Sequence, residues 1–128
     1  MGYIRIRLPL CLAVAWLVAA LVSMQAQAQQ PSRELQVLQA SVRDRYQAGA
    51  YADALRFAEE AMPLVTREYG AEHEQVSVHT HTLGLVSAAT GDFVKAERYY
   101  TQSLRISEKI YGPDSAGIAV ALENLGAV

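Results

Sequence analysis

Cysteine is almost missing from this chain of 128 residues: the single one, Cys11, leaves everything after it without a disulfide framework or a thiol nucleophile. An excess of basic charge is missing too, with 11 Lys and Arg against 13 Asp and Glu. Setting aside residues 1–28, which contain Arg5 and Arg7, leaves 9 basic and 13 acidic side chains. That balance excludes binding of nucleic acid by a basic stripe, which must displace counterions from phosphates, and disfavours a polybasic membrane-surface role. No glycine-rich phosphate loop is present, and no serine sits in a nucleophile-elbow context.

What is present begins with one apolar run. Arg5 and Arg7 precede residues 8–22, which are uninterruptedly apolar, and Ala26-Gln27-Ala28 supplies small residues at the −3 and −1 positions of a cut. This three-part layout predicts a secretory signal over residues 1–28, cleaved after Ala28, and a periplasmic or secreted mature chain with no membrane contact after cleavage. The alternative is an uncleaved N-terminal anchor. Fifteen residues at ~1.5 Å each reach about 22 Å, short of the roughly 30 Å hydrocarbon core, which favours the signal. Cys11 lies inside the run and lacks the small residues before it that a lipid-modified cysteine needs, so it reads as one more apolar residue. Residues 29–32 form a flexible linker in this reading.

The remainder repeats itself. Sliding the sequence by 42 positions gives 9 identities in the 41 pairs from 46/88 to 86/128 without a gap, among them Gly49/Gly91, Ala54/Ala96, Tyr69/Tyr111, Gly70/Gly112 and Leu83/Leu125. Identities concentrate at apolar and glycine positions, where packing is the constraint. Each unit reads as two helices. Phe93, Ala96, Tyr100, Leu104, Ser107 and Tyr111 make one stripe at spacings of three and four, and Tyr51, Ala54, Ala58, Met62, Val65 and Tyr69 repeat it. The partner helices carry Leu35, Leu38, Val42 and Tyr46, then Val76, Leu83 and Val86. Gly91-Asp92 provides a turn and a capping carboxylate, and Gly112-Pro113-Asp114-Ser115 provides a stop and a new start. Pro63, twelve residues into its helix, predicts a kink or an early break there. The fold class is therefore all-α, an antiparallel αα-hairpin solenoid of about two full repeats (33–75 and 76–117) with the first helix of a third at 118–128.

Leu83-Gly84, Gly91 and Phe93 at the turn, Ala96 and Tyr100 in the second helix, small Ala61 and Ser103 late in that helix, and the Tyr111-Gly112-Pro113-Asp114 link together resemble the tetratricopeptide repeat, in the 42-residue form of kinesin light chains. The first unit departs from it with Ser41-Val42 in place of Leu-Gly. The resemblance covers residues 33–128. It implies a solenoid whose first helices line a concave groove that binds a protein or peptide, with no catalytic role and no cofactor. Carried over, the groove positions are Gln36, Gln39, Arg43 and Tyr46 from the first unit, His81 and Leu85 from the second, and Glu123 and Asn124 from the third. Asn124 stands where kinesin light-chain repeats have amides that bond peptide backbones. Thr82 and Ala40 occupy its place in the other units, so the ladder is incomplete.

The remaining polar residues read as structural. His79 and His81 point to opposite faces of a helix and cannot share an ion; with His73 they are taken as cap and surface residues, and no metal site is expected. Glu59-Glu60 and Glu72/Glu74 read as a solvated acidic face, and Tyr99-Tyr100 as repeat packing. The leading expectation is an exported interaction module or scaffold. The alternatives are the repeat region of a longer exported enzyme or signalling protein, present as a fragment, and a purely structural envelope protein. Residues 118–128 make a helix without a returning partner, ending in apolar Leu125-Gly126-Ala127-Val128. This predicts self-association through that open end, or a continuing array, and marginal stability for the isolated mature chain.

Overall fold

The computed structural model describes residues 30–113, and Gly126 beyond them. Four helices follow in order: α1 Arg33–Gln47, α2 Tyr51–Tyr69, α3 Glu74–Ala89 and α4 Phe93–Tyr111. Each packs on the next, α1 on α2, α2 on α3 and α3 on α4, as short connections between amphipathic helices require. The expected signal, residue 29 of the expected linker and, apart from Gly126, the expected third-repeat helix lie outside the described residues.

Local chemistry sets the boundaries. Ser32 caps α1, its Oγ accepting from the Leu35 amide at 3.2 Å, and its own amide donates to the Glu68 carboxylate at 3.0 Å, which ties the chain entrance to α2. Those bonds from Ser32 hold the Glu68 carboxyl below its ordinary pKa. Asp92 caps α4 by accepting from the Lys95 amide at 3.0 Å. His73 caps α3 through Nδ1, which accepts from the Gln75 amide at 3.1 Å, while its ring stacks on Tyr69. Gly70 and Gly112 end the two long helices with φ 91°, ψ 151° and φ 81°, ψ 166°. The repeat thus keeps glycine at this link because the backbone enters a region that only glycine occupies at low cost.

Helix α2 runs unbroken through Pro63, so the early break, one of the two outcomes expected there, does not occur. Pro63 is exposed, so the Glu59 carbonyl that it leaves without an amide faces water, while Ala61 and Val65 on the opposite side are buried and hold the helix in place. The predicted stripes hold in their middles and fail at three of their four ends. Ala54, Ala58 and Val65, and Ala96, Tyr100 and Ser107, are buried, whereas Tyr51, Phe93 and Tyr111 are exposed. Terminal turns of a helix are less covered by its neighbours among the described residues, although Tyr69 still packs on the core and Tyr51 on the Tyr46 ring.

Two apolar clusters run through the stack. One joins Leu35 of α1, Ala61, Leu64 and Val65 of α2, Val76 of α3 and Ile106 of α4. The other joins Val42, Ala54, Ala58, Leu83 and Val86 across α1, α2 and α3. Helix α3 lies between α2 and α4 and is buried on both sides, which is why it carries small and weakly polar residues all round instead of one stripe. Its contact with α4 is polar and close: Ser77 Oγ lies 3.1 Å from Ser103 Oγ and 2.7 Å from Ser107 Oγ, and Ser103 Oγ donates to the Ser77 carbonyl at 2.9 Å.

Ser87, also fully buried, has a hydroxyl with no hydrogen-bond partner. A buried unsatisfied hydroxyl costs about 1–3 kcal/mol, and alanine is the better helix former. Ser87→Ala is therefore expected to stabilise the chain by about 1 kcal/mol, read as a higher urea midpoint at unchanged m; a lowered midpoint would contradict the assignment.

Candidate functional site

The first helices of the two hairpins, α1 and α3, carry the positions that the sequence pointed to. Gln36, Gln39 and Arg43 are exposed on α1, and Tyr46 is half-buried at its end. On α3, Leu85 is exposed at 39% and His81 is half-buried. Glu123 and Asn124 lie outside the described residues. The 42-residue offset pairs Gln36, Gln39, Arg43 and Tyr46 with Val78, His81, Leu85 and Ala88. Two of those partners, Val78 and Ala88, the sequence reading left out. Val78 is 54% exposed and stands two turns before Leu85 on the same face of α3. The signal was available: the repeat offset applied to Gln36 lands on Val78.

An aromatic group links the two rows. Tyr46 and Tyr51 approach with ring centroids 5.2 Å apart, and His81 lies 5.2 Å from Tyr100 of α4. Burial first, and then the neighbouring Tyr46, raise the Tyr100 phenol above its ordinary pKa. Burial lowers the His81 pKa, so its ring is neutral near pH 7. The surface therefore bears amides and an Arg43–Asp44 ion pair, at 3.6 Å, on α1, and the apolar Val78 and Leu85 on α3. Such a surface suits a ligand that alternates hydrogen-bonding backbone with apolar side chains.

His79 corrects the sequence reading, which placed it at the surface. It is 6% exposed between α2 and α3, with Nε2 2.7 Å from the Ala58 carbonyl. A carbonyl only accepts, so Nε2 carries the proton and donates. Nothing in the local pattern distinguishes His79 from His81; burial comes from α2 lying across this face. His73 is the helix cap already described, as expected. Among the described residues no group of three or more His, Cys, Asp or Glu could hold a metal ion.

Burial pushes the His79 pKa down, with the Ala58 carbonyl opposing. The unfolded chain takes up its proton near pH 6.5, ahead of the folded chain. Stability is thus full above pH 6.5 and is lost as the pH falls from there through the folded value, at up to about 1.4 kcal/mol per pH unit for one proton. The urea midpoint of the wild type is expected to fall more steeply between pH 7.5 and 5 than that of His79→Gln. Parallel curves would show that another group is responsible.

On the surface, α2 and α4 are joined by Lys95 and Glu59 at 3.1 Å, with Tyr99 donating to the same carboxylate at 3.5 Å, and Lys109 pairs with Glu72. These pairs are solvent-exposed and contribute little to stability. The first pair bridges α2 and α4, and the second joins α4 to the link between α2 and α3. A family model described as a tetratricopeptide repeat matches residues 35–109 and again 78–128, the second match starting about one repeat after the first.

Proposed function

The chain belongs to the tetratricopeptide repeat family, and on that premise we propose that it is an exported protein-interaction module that holds an extended peptide segment of its partner across α1 and α3. Tetratricopeptide repeats mediate protein–protein interaction and typically act as scaffolds without catalysis. The observation that carries the finer reading is that Val78 and Leu85 are exposed on α3 at the positions that the 42-residue offset pairs with the exposed Gln36 and Arg43 of α1. Exposed apolar side chains at two-turn spacing, bordered by amides and one guanidinium, offer pockets for side chains and partners for peptide backbone. The basic start, the apolar run at 8–22 and Ala26-Gln27-Ala28 support export with cleavage after Ala28.

The test of binding compares wild type with the double variant Val78→Arg, Leu85→Arg. Both side chains are exposed, so melting is expected to be unchanged. Capture of partners from cell-envelope extract is expected to fall at least tenfold, which corresponds to about 1.4 kcal/mol. Undiminished capture would place the binding face elsewhere. N-terminal sequencing of the exported product tests the other half: Gln29 is the expected first residue, and an intact Met1 would overturn the cleavage.

A further inference from the structure

Sulfur is scarce in this chain, and one sulfur atom stands at the joint between the two hairpins. Beyond residue 24 there is no cysteine, and Met62 is the only methionine. Met62 lies on α2, half-buried, and packs against both apolar clusters, the one around Leu35, Val65 and Val76 and the one around Ala58 and Leu83. Among the described residues no other side chain is placed against both. Its Sδ lies 4.0 Å from Thr80 Oγ1 of α3, in the second hairpin. The Thr80 hydroxyl is fully buried and has one proton, which goes to the Val76 carbonyl at 2.7 Å. The contact with sulfur is therefore packing. The 42-residue offset pairs Met62 with Leu104, so the second hairpin fills the same position with a side chain of similar volume and no sulfur.

Peroxide oxidises a thioether to a sulfoxide, which turns an apolar side chain polar and is reversed by methionine sulfoxide reductases. We propose that Met62 is an oxidation site whose conversion to the sulfoxide loosens the joint between the two hairpins. A sulfur lone pair attacks one oxygen of hydrogen peroxide, and the S–O bond forms as the O–O bond breaks. Sulfur gives up two electrons, the proton of the transferred oxygen moves to the departing one, and the peroxide leaves as water. The new oxygen is a strong acceptor, and the Thr80 hydroxyl beside it is already committed to Val76. Either that oxygen stays between the clusters unbonded, or the side chain turns out to water and leaves a gap that both clusters line. Both outcomes weaken the contact of α2 with α3. The inference concerns that contact and stands apart from the peptide-binding reading of α1 and α3.

The test treats the folded full chain with hydrogen peroxide, reading Met62 by peptide mass and stability by urea unfolding. Met62 is expected to take up one oxygen atom, and the folding equilibrium constant to fall at least about tenfold, as for one unsatisfied buried acceptor. Methionine sulfoxide reductase is expected to restore it. Met62→Leu is expected to fold as the wild type does and to keep its midpoint after peroxide, although Cys11, Met1 and Met24 are still there to react. Met62→Gln, polar without peroxide, is expected to reproduce the loss and to speed amide exchange in α2 and α3. Met62 that stays reduced in the folded chain, under conditions that oxidise it in urea, overturns the proposal. So does an oxidised chain with an unchanged midpoint, or a Met62→Gln variant as stable as the wild type. An equal fall in Met62→Leu overturns it as well, since the cause then lies at Cys11, Met1 or Met24.

Discussion

Gly84→Val should cost more stability than its surface area suggests, and the loss should be traceable to one ring. Gly84 lies in the middle of α3, and a Cβ built on it would stand 2.6 Å from both Cδ1 and Cε1 of Tyr100 and 3.1 Å from Cγ. Carbon atoms do not approach that closely, so the ring or the helix must move. The ring has little freedom, since Tyr100 is buried and its neighbours include His81 and Tyr46. Gly84→Ala gains about 1 kcal/mol of helix propensity and loses about 1–3 kcal/mol to overpacking, a net loss of about 1 kcal/mol. Valine adds two methyl groups to the same contact and gives up most of the propensity gain, so a loss of about 3 kcal/mol is expected. The variant Gly84→Ala, Tyr100→Leu separates the causes. If the clash is the origin, the alanine is better tolerated in the leucine background, and a double-mutant cycle gives a coupling of at least about 1 kcal/mol. Additive losses would refute the close approach as the reason for glycine here.

That contact was legible only in part. The pair Leu83-Gly84 announced a special position, and the offset of 42 placed Gly84 against Gly126, but the reason, an aromatic ring from the next helix lying on the α-carbon, is a relation between α3 and α4. The same division runs through the molecule. Helices and turns came from features local to ten residues: apolar spacing, the glycine links and the capping Asp92. Burial is not local. Phe93 and Ala96 share one stripe, yet only Ala96 has a neighbouring helix over it. His79 and His81 differ in burial because α2 crosses one side of α3 and not the other. Pro63 broke a local rule and the helix held, because the lost bond faces water and the packed face does not. The candidate site was readable as positions, through the offset, more than as chemistry. The apolar character of the α3 row rests on Val78, which a helical wheel of α3 alone cannot single out among residues apolar or small on every side.

Leu83→Ala should produce the second large loss, and a change in how the chain unfolds. Leu83 is 1% exposed and belongs to the cluster that joins Val42 of α1, Ala54 and Ala58 of α2 and Val86 of α3. Truncating a buried leucine to alanine costs about 2–5 kcal/mol, the upper values arising where the surroundings cannot close on the cavity. Here two of the contacting residues are alanines, too short to reach into the space, and both lie on a helix already held by the second cluster around Leu64 and Val65. Collapse is therefore restricted, and a loss near 4 kcal/mol is expected, against typical totals of roughly 5–15 kcal/mol for a domain. The exposed Leu85, two residues on, serves as the control: Leu85→Ala is expected to change stability by less than about 1 kcal/mol. Because each hairpin of a repeat array touches only its neighbours, Leu83 is one of few side chains that tie the second hairpin to both helices of the first. Its loss should lower the cooperativity of urea unfolding as well as the midpoint, with α4 losing amide protection before α1 and α2 in hydrogen exchange. A single sharp transition of unchanged slope, displaced by less than 1 kcal/mol, would mean that the two hairpins are coupled elsewhere, with the buried serines of α3 and α4 and the Leu64 cluster carrying the stack.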